Sequence, residues 1–187
     1  MPDSRFPRLV SLACHDLRTP LATVYGFART LSRGDDLDPR SARFVAMIEE
    51  ASEQMAGLLD ELGTAARIHA GRWEPVVRQA DTLELARAED DDRVAVEGVG
   101  EPIETDVDAV RRSLAALAVA AIRHGRIEGI TWRVEGRVFE LSPVSEAAAP
   151  VVTGAEQKDF GALVARLVIE ELGGGLELEG ETLRVRL

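Results

Sequence analysis

The sequence predicts an α+β protein in two parts. An antiparallel helical hairpin over residues 1–72 pairs with a second copy as a dimeric four-helix bundle, and an α/β sandwich follows over residues 73–187. Three observations carry this reading. Apolar residues recur at alternating steps of three and four through the first 70 positions, the mark of helices packed along their length. The periodicity changes after Trp73-Glu74-Pro75. Beyond it, short runs rich in β-branched residues alternate with helical patterns, as in a sheet covered on one face by helices.

In the first helix, residues 6–31, the series Val10, Ala13, Leu17, Pro20, Val24, Phe27 and Leu31 forms a heptad seam. Arg33-Gly34-Asp35-Asp36 ends it, with Gly34 suited to a left-handed terminus. Asp38 is a good N-cap for a second helix, and Pro39 takes its first position, where the missing N–H costs nothing. Phe44, Ile48, Ala51, Met55, Leu58, Leu62 and Ala65 keep the spacing as far as His69, and Gly71 stops it. Two helices with one seam each cannot enclose a core, so the expectation is a homodimer of hairpins. The competing arrangement packs the hairpin on the rest of its own chain.

In the second part, residues 81–89 predict a short helix, and 94–96 and 103–105 short strands. A helix over 106–123 turns Val110, Leu114, Leu117, Ala121 and Ile122 inward. Strands at 130–134 and 138–141 follow, then a loop over 142–157 rich in Ala, Pro, Ser and Gly. A helix at 159–172 leads to strands at 176–179 and 183–187, joined by the turn Gly180-Glu181-Thr182.

Composition limits what such a protein does. Its 187 residues are 45% hydrophobic and 29% charged, a globular rather than a disordered balance. With 22 Lys plus Arg against 33 Asp plus Glu the net charge is −11, which argues against nucleic-acid or anionic-membrane partners. Aromatics at 4% are too few for base-stacking platforms. The single cysteine, Cys14, excludes an internal disulfide and a multi-cysteine zinc site, and fits a reducing cytoplasm. No stretch approaches the roughly 20 apolar residues of a bilayer span, and the start lacks a signal pattern, so a soluble, cytoplasmic protein without membrane contact is expected.

The residues that carry chemistry are His15-Asp16-Leu17-Arg18-Thr19-Pro20-Leu21. In the heptad frame His15 lies opposite the seam, open to solvent, and Thr19 stands one turn further on the same face. Pro20 removes a donor in mid-helix, leaves the Asp16 carbonyl without its usual partner and should bend the helix. A neutral imidazole attacks a phosphoryl group in line and passes it on from the phosphoramidate. Asp16 can fix the ring tautomer or act as a general base, and Thr19 can orient a water. Singly, an exposed histidine on a helix is ordinary solvated surface; the cluster is what carries weight.

The run Ser11-Leu12-Ala13-Cys14-His15-Asp16-Leu17-Arg18-Thr19-Pro20-Leu21 resembles the phosphoacceptor box of bacterial sensor histidine kinases, and Leu58-Leu59-Asp60-Glu61-Leu62 with Ile68-His69-Ala70-Gly71 resembles the close of their second helix. The resemblance implies a dimeric four-helix bundle with His15 phosphorylated, Asp16 as acid or base, and Thr19 supporting dephosphorylation of a partner. Arg18 and Pro20 support the site. Response-regulator receiver domains are the implied partners, contacting Thr23, Phe27 and Thr30 below the histidine.

The second part resembles the ATP-binding domain of these kinases, with departures. Where the family has Asn-Ala-hydrophobic-Lys, this chain reads Ala120-Ala121-Ile122-Arg123, and alanine cannot ligate Mg²⁺. The family's Asp-x-Gly-x-Gly segment is replaced by Ser142-Pro143-Val144-Ser145. Its last glycine-rich motif survives only as Asp159-Phe160-Gly161-Ala162-Leu163, where Asp159 would repel a phosphate. The expectation is a degenerate domain that keeps the fold without binding ATP. His15 then receives its phosphoryl group from a receiver aspartate, as in a histidine phosphotransferase of a phosphorelay, with no intrinsic cofactor and Mg²⁺ supplied by the partner. An ATP-dependent kinase with diverged motifs and a non-catalytic scaffold stay open as alternatives. Met1 stands directly before the first helix, so no sensor domain or anchor is expected ahead of it.

Other conspicuous residues have plainer readings. Cys14 is expected to pack beside the seam, His69 and His124 to serve structural or dipole roles, and Gly173-Gly174-Gly175 to cap a helix. Glu89-Asp90-Asp91-Asp92 reads as a solvated loop.

Overall fold

The computed structural model describes residues 5–34, 37–87 and 91–187. They fall into two compact units, Met1–Trp73 and Glu74–Leu187.

The first unit is a hairpin of α1 (Arg5–Ser32) and α2 (Pro39–His69). Its cross-links run in opposite directions along the two helices, so they are antiparallel. Arg18 pairs with Asp60, the Tyr25 hydroxyl donates to Glu53, and the Ser32 hydroxyl donates to Glu49. Between the helices lies a stripe of mostly small side chains, Cys14 and Ala28 against Val45, Ser52 and Ala66, all buried. The Ser52 hydroxyl satisfies itself on the Ile48 carbonyl, 2.7 Å away. The longer apolar residues of the heptad seam stay uncovered on the chain: Leu17, Val24, Phe27 and Leu31 of α1, and Phe44, Ile48, Met55 and Leu58 of α2, are each 45% exposed or more. Apolar surface on that scale marks an interaction face.

Asp38 caps α2 as expected, accepting from the Arg40 and Ser41 amides at 2.9 and 3.2 Å, with Pro39 in the first turn. Gly71 has a positive φ of 61° just after α2. Gly34 departs from expectation. It closes α1 by donating its N–H to the Leu31 carbonyl at 3.1 Å, without a left-handed backbone. Such an i→i+3 bond satisfies a terminal carbonyl without needing positive φ.

The second unit contains β1 (Val77–Asp81), α3 (Thr82–Ala86), β2 (Val94–Gly100), β3 (Pro102–Asp106), α4 (Val107–Gly125), β4 (Ile130–Gly136), β5 (Val138–Ser142), α5 (Ala149–Val152), α6 (Phe160–Glu171), β6 (Gly175–Glu179) and β7 (Thr182–Arg186). Five strands form a sheet in the order β2-β4-β5-β7-β6, with β2 parallel to β4 and the other pairs antiparallel. Trp132, Val134, Phe139, Leu141, Leu183 and Val185 alternate onto one buried face. There they join Val110, Leu114, Leu117 and Ala121 of α4 and Ile169 of α6 in a single core. The Trp132 and Phe139 rings meet edge to face, with centroids 6.4 Å apart. The alternate positions carry ion pairs, Arg133 with Glu97 and Arg184 with Glu140.

Three features differ from the sequence expectation. Residues 103–105 do form a strand, but β3 pairs with β1 in a separate two-stranded ribbon. β1 itself, Val-Arg-Gln-Ala-Asp, is nearly all exposed and has no apolar alternation to announce it; its pairing with β3 makes it a strand. The expected loop over 142–157 contains α5, because Val144, Ala148, Val151 and Val152 are pulled into the core. Glu89 and Asp90 of the acidic run lie outside the described residues, as do residues 88–89 of the expected short helix and Asp35 and Asp36 of the first helix's end.

The cap of α2 makes a pH prediction. The Ser41 hydroxyl, then the Ser41 and Arg40 amides, hold the Asp38 carboxyl below its usual range. A carboxylate lowered in the folded state stabilises above its unfolded pKa of about 3.9, and that contribution is lost as pH falls through the lower folded value. Thermal melts of wild type and Asp38→Asn should therefore converge as pH drops below about 4. A gap at pH 3 as wide as at pH 7 would refute this role.

Candidate functional site

The site is built on the outer face of α1, opposite the stripe that packs on α2. Cys14 is 2% exposed on the inner side, and its neighbour His15 accordingly points outward with 77% of its side chain exposed. Asp16 beside it is also exposed, and its Oδ1 lies 3.1 Å from His15 Nδ1. An ionised carboxylate only accepts, so in this contact Nδ1 carries the proton. In the neutral ring this tautomer leaves Nε2 as the bare nitrogen, with its lone pair free for an electrophile. Positive charge building on the ring during attack at Nε2 is stabilised through the Nδ1–H held by Asp16.

Thr19 is exposed one turn beyond His15, and its backbone carbonyl accepts from the Thr23 hydroxyl at 3.1 Å. The Thr30 hydroxyl likewise donates to the Gly26 carbonyl at 2.7 Å. Thr23, Phe27 and Thr30 are all exposed, and Phe27 leaves 68% of its surface open. With His15 and Thr19 they share the outer surface of one helix at steps of three and four. Pro20 sits exposed inside α1, which runs unbroken through it from Arg5 to Ser32. Arg18 serves a different purpose from its neighbours. Its Nη2 lies 2.5 Å from Asp60 Oδ1 on α2, so it ties the reactive turn to the second helix.

The second unit holds a different arrangement where the family pattern handles nucleotide. Ala120, which the sequence resemblance sets against the family's metal-ligating asparagine, is fully buried on α4 and offers no oxygen. Asp159 caps α6, its Oδ1 accepting the Ala162 N–H at 3.1 Å. Its Oδ2 pairs with Arg123 Nη1 at 3.2 Å and His124 Nε2 at 3.1 Å, both from the end of α4. The Asp159 side chain is only 7% exposed. The positive end of α6 and the two side chains from α4 thus already share a carboxylate of the chain itself as their partner. Sequence reasoning placed Asp159 and Arg123 separately but did not join them, nor assign His124 to Asp159; residues 35 positions apart leave no local signal. Gly173 does cap the helix as expected, with a φ of 83°.

Comparison with known proteins agrees with this geometry. Residues 8–71 match the His Kinase A (phospho-acceptor) domain. Sensor protein DivL of Caulobacter vibrioides is 24% identical over 202 aligned positions, covering 89% of this chain and 25% of DivL. Sensor histidine kinase TrcS of Mycobacterium tuberculosis is 39% identical over 71 residues, 37% of this chain and 14% of TrcS. The chain therefore spans a quarter or less of these relatives' length. Among solved structures, full-length ShkA in complex with AMPPNP shares the fold with a TM-score of 0.65 at 19% identity, covering 96% of this chain and 44% of that one. Histidine kinase AdeS of Acinetobacter baumannii gives 0.55 at 17%, covering 92% and 96%. Residues 8–71, the hairpin, thus match a His Kinase A (phospho-acceptor) domain, and the chain as a whole is similar to sensor histidine kinases. No helix among the described residues is long and apolar enough to cross a membrane.

The Asp159 cluster is testable through stability. Asp159→Ala removes an N-cap and is expected to cost about 1–2 kcal/mol. Asp159→Asn, which keeps a capping oxygen, should retain most of it. Urea denaturation of the two variants checks the ordering, and equal losses would mean that the charge pairs rather than the cap carry the effect.

Proposed function

We propose that this protein is a histidine phosphotransferase of a two-component phosphorelay, a cytoplasmic homodimer that accepts a phosphoryl group on His15 from a receiver-domain aspartate and hands it to another. In the accepting step the Nε2 lone pair attacks phosphorus in line, the P–N bond forms, and the P–O bond to the aspartate breaks with the carboxylate leaving. Asp16 holds the Nδ1 proton throughout. The reverse attack by a second receiver's carboxylate restores free His15. The receiver brings the Mg²⁺ that neutralises the phosphoryl oxygens. Thr19, one turn from His15, orients a water where the outcome is hydrolysis, and Thr23, Phe27 and Thr30 form the receiver's footing. The other uncovered seam residues, Leu17, Val24 and Leu31 of α1 with Phe44, Ile48, Met55 and Leu58 of α2, are the surface on which a second hairpin closes the bundle.

The observation that carries transfer without ATP is the Asp159 cluster. A nucleotide phosphate in the family's pattern needs an open helix N-terminus, a basic side chain and an oxygen-held metal. Here α6 is capped by a buried carboxylate, Arg123 is engaged with it, and the metal position is the enclosed Ala120. These features support a second unit that keeps the fold of a kinase domain without its cofactor.

Two measurements test the proposal together. Calorimetric titration with Mg²⁺ and a non-hydrolysable ATP analogue should give no heat up to millimolar nucleotide, while micromolar binding would restore the kinase reading. Receiver domains charged with radiolabelled phosphate should label wild type, and His15→Ala should lose at least about 1,000-fold of the label, as loss of a nucleophile does. A panel of receivers that binds both proteins equally and labels neither would leave a scaffold.

A further inference from the structure

We infer that the cavity between α1 and α2, lined on α1 by Cys14 and by Ser11 and Arg18 one turn to either side of His15, is a binding site for a phosphate-type oxyanion, either free phosphate or a small phosphomonoester. The cavity has a volume of about 330 Å³ and is lined by Ser11, Cys14, Arg18, Gly63, Arg67 and Arg72. Three of these six residues are arginines and none carries a carboxylate, in a chain whose net charge is −11.

Gly63 shows how the cations converge. It is buried, and a Cβ at its position would lie 3.5 Å from Arg67 Nη1 and 3.8 Å from Arg18 Nη2. Two guanidinium groups therefore reach the same point, where like charges repel unless an anion joins them. The chain supplies little of that charge. Arg18 has Asp60, while Arg67 has only the neutral Thr64 hydroxyl at 3.0 Å. Among the described residues no carboxylate lies within ion-pair distance of Arg67 or Arg72.

Ser11 adds an independent observation. Its hydroxyl oxygen is buried on the cavity wall with no hydrogen-bond partner, which is uncommon unless a ligand or solvent completes it. The lining thus offers guanidinium N–H donors and one unspent hydroxyl. Such a set calls for a ligand made of acceptors. Guanidinium forks suit phosphate oxygens, and a tetrahedral dianion can receive donors arriving from both helices, which a planar carboxylate does less well. Cys14 closes the inner wall beside the turn that bears His15. A bound anion would clamp that turn to the end of α2. The inference rests on the hairpin alone and does not depend on the direction or source of phosphoryl transfer to His15.

The experiment uses the full chain in a phosphate-free buffer at constant ionic strength, with inorganic phosphate, glycerol 3-phosphate and acetate as separate probes. Thermal melts and calorimetry should show saturable binding of at least one phosphate probe, with Tm rising by about 5 °C at saturation, and acetate should do little. Arg67→Gln and Arg72→Gln should each weaken binding at least about tenfold. Gly63→Ala is the variant that preserves the fold: alanine favours the helix and its methyl group meets only ordinary contacts, yet it fills the point where the two arginines converge. It should melt no lower than wild type and lose the phosphate response. Binding of inorganic phosphate assigns the site to the free ion, and binding of glycerol 3-phosphate alone assigns it to an ester. No saturable shift with either probe overturns the inference, and so does a shift that sodium chloride reproduces or that survives Gly63→Ala and Arg72→Gln.

Discussion

The close contact of α1 with α2 is the constraint from which the reactive face follows. Cys14, Ala28, Val45, Ser52 and Ala66 are small enough for the two helices to press together, and their burial fixes the rotation of α1 about its axis. Once Cys14 is turned inward, helical geometry places His15 outward. The same rotation leaves the larger apolar residues of both helices on a second face that the chain itself does not cover. A helix with two apolar stripes has two partners to satisfy, one within the hairpin and one beyond it. The reactive histidine occupies the remaining, polar surface.

Arg18 and Pro20 show how the signature segment divides its labour. His15, Asp16 and Thr19 face solvent, while Arg18, in the middle of the same run, reaches across to Asp60 and fastens the segment to α2. Arg18 thus bears on the segment by holding its turn to α2. The arginines at the end of α2 extend the same theme, since they concentrate positive charge on the α2 side of the turn that carries His15.

In the second unit the core and the ends of the helices are held by separate sets of contacts. Its core depends on Trp132, Phe139, Leu141, Leu183 and Val185 packing under α4 and α6, and none of these contacts requires a nucleotide. The functional positions lie instead at the ends of α4 and α6, where Asp159, Arg123 and His124 satisfy one another. A carboxylate at a helix N-terminus makes the same hydrogen bonds that a phosphate would accept.

Much of this protein was legible in its sequence because the relevant physics is local. Apolar spacing gave the helices of the hairpin, Asp38-Pro39 and Gly71 gave the ends of α2, and the His15 segment announced an outward histidine with a carboxylate beside it. The inward residues of α4 and most strands of the main sheet were equally readable from their periods. What the sequence did not reveal was decided by contacts between distant residues. β1 is a strand only because β3 lies beside it, α5 forms because its valines find the core, and Gly34 needs no left-handed turn in the path the chain takes. The pairing of Asp159 with Arg123 and His124, and the meeting of Arg18 and Arg67 at Gly63, likewise exist only after folding. Hydrophobic periodicity is a property of neighbours along a chain, whereas charge compensation and strand pairing are properties of neighbours in space, and only the tertiary structure decides which those are.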